Sequence, residues 1–324
     1  MAANKAIAMK TAFLFPGQGA QVVGMGADVA EAFPVAAELF EKANEIVGYD
    51  LCKVFFEGPG ERLNLTTVSQ PAIFVTSVAI LECLRSSPST ADIKPAVTAG
   101  LSLGEYTALY AAGVISFKDA LVLVQKRGDE MQAAADATAG GMVSILGLDE
   151  EKVNELCLKA AGADLLVPVN FNCPGQIVLS GSVDACDRAE LLAPKYGALK
   201  AVRLKVAGAF HTEMMTPAAR ALARALEECQ ISDPSDVKVI ANTDAAYYDT
   251  ADQIRKGLVK QLVRPILWQK CMERLLDEGV EIFFEIGPGR VLTGLMRRIN
   301  RKARVINISG LKSLNELQSE ARIK

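Results

Sequence analysis

The sequence predicts an α/β protein of two units. The large unit has a mostly parallel sheet and is discontinuous over residues 1–137 and 207–324; the small unit is inserted at 138–206. Three observations carry this expectation. Short apolar strands alternate with helical stretches in the early part of the chain, the pattern of a parallel sheet covered by helices. The middle of the chain changes to the order βαββαβ, bounded by Gly140-Gly141 and Gly208. A chain of 324 residues is also long for one hydrophobic core.

The elements follow in order. Thr11 to Phe15 is a strand, stopped by Pro16-Gly17-Gln18-Gly19. Helical spacing covers Ala27–Phe33 and Pro34–Val47. Pro71–Leu84 is the most apolar stretch, and Thr76, Ser77 and Glu82 interrupt it, so it is expected as a buried helix rather than a membrane span. Lys94 to Gly100 is a short strand, Glu105 to Ala112 a helix ended by Gly113, and Ser116 to Gln132 a helix opened by a capping-box-like Ser116 and Asp119. The middle reads as strand Gly141–Leu146, helix Asp149–Ala161, strand Leu165–Phe171, turn Asn172-Cys173-Pro174-Gly175, strand Gln176–Ser180, helix Ser182–Pro194 and strand Ala201–Val206. That succession is the ferredoxin-like one. An amphipathic helix through Cys229, strand Val237–Ala241, helix Leu267–Glu278, strand Glu281–Ile286 and a last helix Val291–Ile299 complete the large unit. No internal repeat or low-complexity segment interrupts the pattern.

Composition narrows the function. Half the residues are hydrophobic and 23% are charged, as in an ordinary globular protein. A net charge of -3 and a pI near 5.5 argue against nucleic-acid binding. The seven cysteines are scattered without Cys-x-x-Cys spacing, which reads as reduced core thiols in an intracellular compartment rather than a disulfide framework or zinc site. Cys173, beside a turn, is the one with a reactive alternative. The first ten residues lack the apolar core of a secretory signal, and a transit peptide, if one existed, is absent from the sequence.

The chemistry centres on Ser102, in Gly100-Leu101-Ser102-Leu103-Gly104, and on the single histidine, His211. A Gly-x-Ser-x-Gly run between a strand and a helix suits a tight elbow that projects the hydroxyl outward, in the manner of α/β-hydrolase folds, which is how the large unit is classed. Small residues around a serine at a turn are also common by chance. A serine hydroxyl needs a base, and histidine suits that task near neutral pH. No acid near His211 is identifiable as its orienting partner, since Glu213 would face away on a helix.

Ala120, Val124, Arg127 and Met131 recur at helical spacing, which puts Arg127 on an apolar face. A buried guanidinium is costly unless paired. It is either a bidentate site for a ligand carboxylate or an arginine tied to a buried Asp, Glu or carbonyl, and spacing leaves both open. Gly17-Gln18-Gly19 follows a strand; it is a plain turn, or Gln18 offers its N–H to an oxyanion beside the Leu103 N–H. Glu285-Ile286-Gly287-Pro288-Gly289-Arg290 reads as a structural strand-then-turn.

Phe15-Pro16-Gly17-Gln18-Gly19-Ala20-Gln21, Gly100-Leu101-Ser102-Leu103-Gly104-Glu105-Tyr106, Arg127, Gly208-Ala209-Phe210-His211 and Glu285-Ile286-Gly287-Pro288-Gly289 resemble, in order, the malonyl-CoA:acyl carrier protein transacylases of fatty acid synthesis, over about Thr11 to Arg304. The resemblance implies a ping-pong transfer. Ser102 attacks the malonyl thioester with His211 as base, the Gln18 and Leu103 N–H groups hold the oxyanion, and Arg127 grips the malonyl carboxylate. It further implies that the Leu267 carbonyl orients His211, and that Gln70 and Asn172 line the site. CoA thioester is then a substrate, and no cofactor or metal is expected. The partner is acyl carrier protein, an acidic protein expected to dock on a basic surface such as Arg297, Arg298 and Arg301, or Lys195 and Lys200; a monomer is expected, with no nucleic acid or membrane partner. Phe210 before the histidine is similar to malonyl-selective acyltransferase domains of polyketide synthases, where serine goes with methylmalonyl.

Many family members carry histidine before the nucleophile, where this chain has Leu101. Leucine there is similar to plastid forms, so the plastid stroma is the expected compartment, with bacterial cytoplasm as the alternative. Competing readings are a serine esterase or thioesterase, an acyltransferase for another acyl group, and a silent carrier-binding subunit.

Overall fold

The structure, a computed structural model, describes residues 9–322. The outermost residues of the predicted large unit, and most of the stretch searched for a secretory signal, lie outside the described residues. The strands are β1 (Thr11–Phe15), β2 (Val97–Gly100), β3 (Gly140–Leu146), β4 (Leu166–Cys173), β5 (Gln176–Ser182), β6 (Lys200–Arg203), β7 (Lys238–Val239), β8 (Ile282–Ile286) and β9 (Arg304–Ile308). They form two sheets, one five-stranded in the order β7-β2-β1-β8-β9 and one four-stranded in the order β4-β5-β3-β6. Every pairing in the first is parallel, and every pairing in the second is antiparallel.

β1 is buried along its whole length because the parallel sheet has a core on each face. Phe13 and Phe15 join Phe284 and Ile286 in one core, whereas Ala12 and Leu14 join Val97, Ala99 and Phe283 in the other. Phe13 lies opposite Phe284 in register, with the rings edge to face at 5.7 Å.

The helix Thr66–Ser86 begins before the predicted Pro71. Pro71 lacks an N–H and frees the Thr67 carbonyl one turn back. Gln125 Nε2 donates to that carbonyl at 3.3 Å, so the helix runs through the proline. The helix is long and apolar enough to cross a membrane, yet its most apolar window is 89% buried within the protein.

The βαββαβ order of the middle segment is observed, packed on its own core of Val143, Ile145, Leu156 and Leu179. The hairpin is tighter than expected. β4 continues through Asn172 and Cys173, and only Pro174-Gly175 turn, with Gly175 at φ 69. The small sheet is tied to the rest through Ile266, whose N–H donates to Val169 O at 2.7 Å and whose carbonyl accepts from Phe171 N at 3.0 Å.

Three expectations are corrected at the C-terminal side. The strand predicted at Val237–Ala241 is only Lys238–Val239, at the sheet edge. The helix Val291–Ile299 is not last, because β9 and the helix Leu311–Arg322 follow. The helix Ala251–Gln261 was not anticipated, because its polar residues mask a buried stripe of Ile254, Leu258 and Gln261.

Candidate active site

β2 ends at Gly100 and the helix Gly104–Ala111 starts just past Ser102, which sits at φ 50, in the left-handed region. A non-glycine residue held there is strained, a condition that persists where surroundings fix it. The flanking glycines explain how. A Cβ on Gly100 would overlap Gly104 and the Glu105 N, one on Gly104 would overlap the Phe15 carbonyl, and one on Gly17 would overlap the Leu101 carbonyl. The elbow is thus pressed against the end of β1, and no side chain fits between them. Asn242 fastens it: its Oδ1 accepts from Ser102 N at 2.7 Å and its Nδ2 donates to Gly100 O at 2.8 Å.

Ser102 Oγ lies 3.0 Å from His211 Nε2, and His211 Nδ1 lies 2.7 Å from the Gln261 carbonyl. A carbonyl can only accept, so Nδ1 carries the proton and Nε2 faces Ser102 as an acceptor. Burial, reinforced by the Arg127 charge and opposed by the Gln261 carbonyl, pushes His211 down to about 4. The imidazole is neutral near pH 7 and available as a base. His211 itself sits at φ 63, a second strained residue in the same contact.

The orienting carbonyl is therefore that of Gln261, and not of Leu267 as expected. Gln261 ends its helix, where the last carbonyls have no helical donor. The Leu267 carbonyl already accepts from Cys271 N at 3.0 Å in the first turn of the next helix, and Leu267 N donates to Asn242 O.

Arg127, from the helix Phe117–Asp136, is 1% exposed. Its Nη1 donates to Gln70 Oε1 at 2.6 Å, and its Nη2 to Ser102 Oγ at 2.9 Å and Gln261 Oε1 at 3.1 Å. Among the described residues its Nε has no partner. Burial lowers its pKa, against the attraction of Tyr106 and Glu105. Among the described residues its direct partners are neutral oxygens, so the guanidinium reaches the nucleophile without a carboxylate in contact. Gln70, expected to line the site, is fully buried and is not among the residues lining the cleft that opens over these groups; it holds Arg127 Nη1 through its Oε1.

A cleft of about 480 Å³ opens over these groups, lined among others by Gln18, Leu101, Ser102, Arg127, Phe210 and His211. Asn172, on β4, also lines it, and among the described residues its Oδ1 has no partner. Among the described residues, neither the Gln18 N–H nor the Leu103 N–H has an acceptor; Gln18 lines the cleft, and Leu103 is fully buried.

Of the basic residues, Arg297, Arg298 and Arg301 surround a concavity with Pro174. Arg298 donates to Gln176 Oε1, and Gln176 lines the cleft, so this patch adjoins the site. Lys195 and Lys200 are exposed on the small unit, and the neighbouring Arg203 is ion-paired to Asp187 at 3.0 Å.

Sequence reasoning missed Gln261 and Asn242. An amide on the apolar stripe of Ile254 and Leu258 was a signal for Gln261. Asn242 offered none, because its partner Ser102 is 140 residues away.

The chain matches the family model of the acyl transferase domain over residues 12–320. It is 44% identical over 301 residues to the malonyl CoA-acyl carrier protein transacylase of Bacillus subtilis, covering 93% of each chain. It is 41% identical to that of Haemophilus influenzae, covering 95% of this chain and 98% of the other. Among solved structures it is similar to a malonyl-transacylase in complex with its type II polyketide synthase acyl carrier protein, with a TM-score of 0.91, 40% identity, and coverage of 96% of this chain and 99% of that one. It is likewise similar to an acyl carrier protein S-malonyltransferase from Vibrio cholerae, with a TM-score of 0.90, 42% identity, and coverage of 95% and 99%.

Proposed function

The chain belongs to the acyl transferase domain family and, within it, to the malonyl-CoA:acyl carrier protein transacylases; on that premise we propose that it moves malonyl from CoA to the phosphopantetheine thiol of acyl carrier protein through malonyl-Ser102, supplying fatty acid synthesis. The observation that carries this reading is the buried Arg127 guanidinium, which touches the Ser102 hydroxyl and whose hydrogen-bond partners among the described residues are neutral oxygens.

The malonyl carboxylate pairs with Arg127, which sets the thioester carbon over Ser102 Oγ. Ser102 loses its proton to His211 Nε2 as Oγ bonds to the carbonyl carbon. The Gln18 and Leu103 N–H groups stabilise the oxyanion. The C–S bond then breaks, His211 returns the proton to the CoA thiolate, and CoA leaves. The carrier thiol gives its proton to His211 as its sulfur bonds to the carbonyl carbon of malonyl-Ser102; the C–Oγ bond then breaks, His211 returns the proton to Ser102 Oγ, and malonyl carrier departs. No cofactor or metal enters these steps. Phe210, 4% exposed and lining the cleft, crowds a methyl on the α-carbon and favours malonyl. Asn172 Oδ1 is an acceptor for the arriving acyl or pantetheine chain.

The acidic carrier docks on Arg297, Arg298 and Arg301, a choice supported by their place beside the cleft, with Lys195 and Lys200 as the second surface. The large unit, residues 1–137 with 207–324, is hydrolase-like in its elbow, and 138–206 is the ferredoxin-like unit that closes the cleft. The relatives from Bacillus subtilis, Haemophilus influenzae and Vibrio cholerae are bacterial, which supports the bacterial cytoplasm; the plastid stroma rests on Leu101 alone. The protein acts as a monomer.

The test is to mix the protein with malonyl-CoA with and without holo acyl carrier protein, following free CoA and malonyl carrier. Carrier-dependent CoA release with matching malonyl carrier is expected. Steady CoA release without carrier would replace this reading with a thioesterase.

A further inference from the structure

Glu105 directly follows the elbow and has no part in the transfer derived above. It is fully buried, and among the described residues no lysine, arginine or histidine pairs with it. Its Oε1 accepts from the Tyr248 hydroxyl, and its Oε2 from Asn242 N at 3.1 Å and Gln261 Nε2 at 2.9 Å. Burial pushes it up to about 7. A proton taken up there can sit between Oε1 and Tyr248, so Oε2 remains an acceptor in either state.

That acceptor decides which way the Gln261 amide faces. Gln261 Nε2 points to Glu105 and to Ser102 O at 3.0 Å, which turns Oε1 to Arg127 Nη2. With the amide reversed, its NH2 would meet the guanidinium and its oxygen would meet two other acceptors, which is unfavourable at every contact.

We propose that Glu105 is a positioning residue: its Oε2 fixes the Gln261 amide, and through it the Arg127 guanidinium that receives the acyl carboxylate. The inference rests on the malonyl reading. A well-aimed guanidinium matters only to a donor that carries a carboxylate, so Glu105 acts on the choice of acyl group more than on the attack itself.

The experiment compares Ser102 acylation by malonyl-CoA and acetyl-CoA, as a ratio of kcat/KM values, in wild type, Glu105→Met and Glu105→Gln. Glu105→Met removes the acceptor of Gln261 Nε2; the released amide then gives up its one hydrogen bond from the charged guanidinium, which predicts a fall of about tenfold in the malonyl-to-acetyl ratio. Glu105→Gln keeps an oxygen facing Gln261 and is expected to hold the wild-type ratio. A ratio unchanged in the Met variant, or lost equally in the Gln variant, overturns the proposal. Should Glu105→Met not fold, Gln261→Met, which keeps the carbonyl on His211, must show the same fall, and an unchanged ratio there also overturns it. Absence of malonyl preference in the wild type would instead sink the malonyl reading itself.

Discussion

Replacing Arg127 by alanine tests the acyl clamp most sharply. The guanidinium is 1% exposed, and among the described residues its direct partners are Gln70, Ser102 and Gln261. Without it, the malonyl carboxylate enters a buried site with no cation. Breaking one side of a buried pair costs about 3–5 kcal/mol. That is roughly two to nearly four powers of ten in kcat/KM. Acetyl-CoA carries no carboxylate and loses only the charge-assisted hydrogen bond from Nη2 to Ser102, about 1.5–3 kcal/mol or roughly one to two powers of ten. The ratio of the two donors should therefore drop by more than an order of magnitude. Lysine at 127 keeps the charge but not the planar fork, and should fall between. The assay is CoA release during single-turnover acylation, with a thermal melt to confirm folding. Equal losses on both donors, or intact malonyl transfer, would refute the clamp.

The neutral His211 is the active form, so the acylation kcat/KM should fall as pH drops through about 4 and not through the ordinary histidine value of 6.5; a break near 6.5 in the pH–rate profile would contradict the buried-imidazole account. Because that pKa is depressed on folding, its contribution to stability is complete above 6.5 and is lost as pH falls towards 4. Gly104→Ala should cost more than about 4 kcal/mol in denaturant melts, since its Cβ meets the Phe15 carbonyl, and a near-native midpoint would count against the packed elbow. Phe210→Ser should raise acylation by methylmalonyl-CoA relative to malonyl-CoA in competition assays, whereas an unchanged ratio would remove Phe210 from selectivity. Reversing Arg297 and Arg301 to glutamate should raise KM for the carrier and flatten its dependence on salt, with acylation of Ser102 by malonyl-CoA unaffected; an unchanged salt dependence would move docking elsewhere.

The sequence made the local features legible. The β1 strand, the strand–Ser102–helix unit, the Ser116 cap and the βαββαβ order all depend on neighbours within a few residues, and all appear where expected. Arg127 was visible as a charge on an apolar stripe, though its spacing could not say which oxygens it meets. What was not legible depends on distant partners. The histidine's carbonyl came from Gln261, at a helix end hidden in polar sequence, and not from the Leu267 that the resemblance implied. Asn242 reaches Ser102 across 140 residues, and Gln70 turned out to hold the clamp through its Oε1. The late strand β9 and the helix Leu311–Arg322 after it were not read from the sequence.

The central claim is a malonyl group held on Ser102. Intact-protein mass spectrometry after brief mixing with malonyl-CoA, with Ser102→Ala as the control, tests it directly. The account predicts a single malonyl adduct on the wild type, absent from the variant and discharged by holo acyl carrier protein. An adduct that persists in Ser102→Ala, or malonyl carrier formed with no adduct at any time, would contradict it.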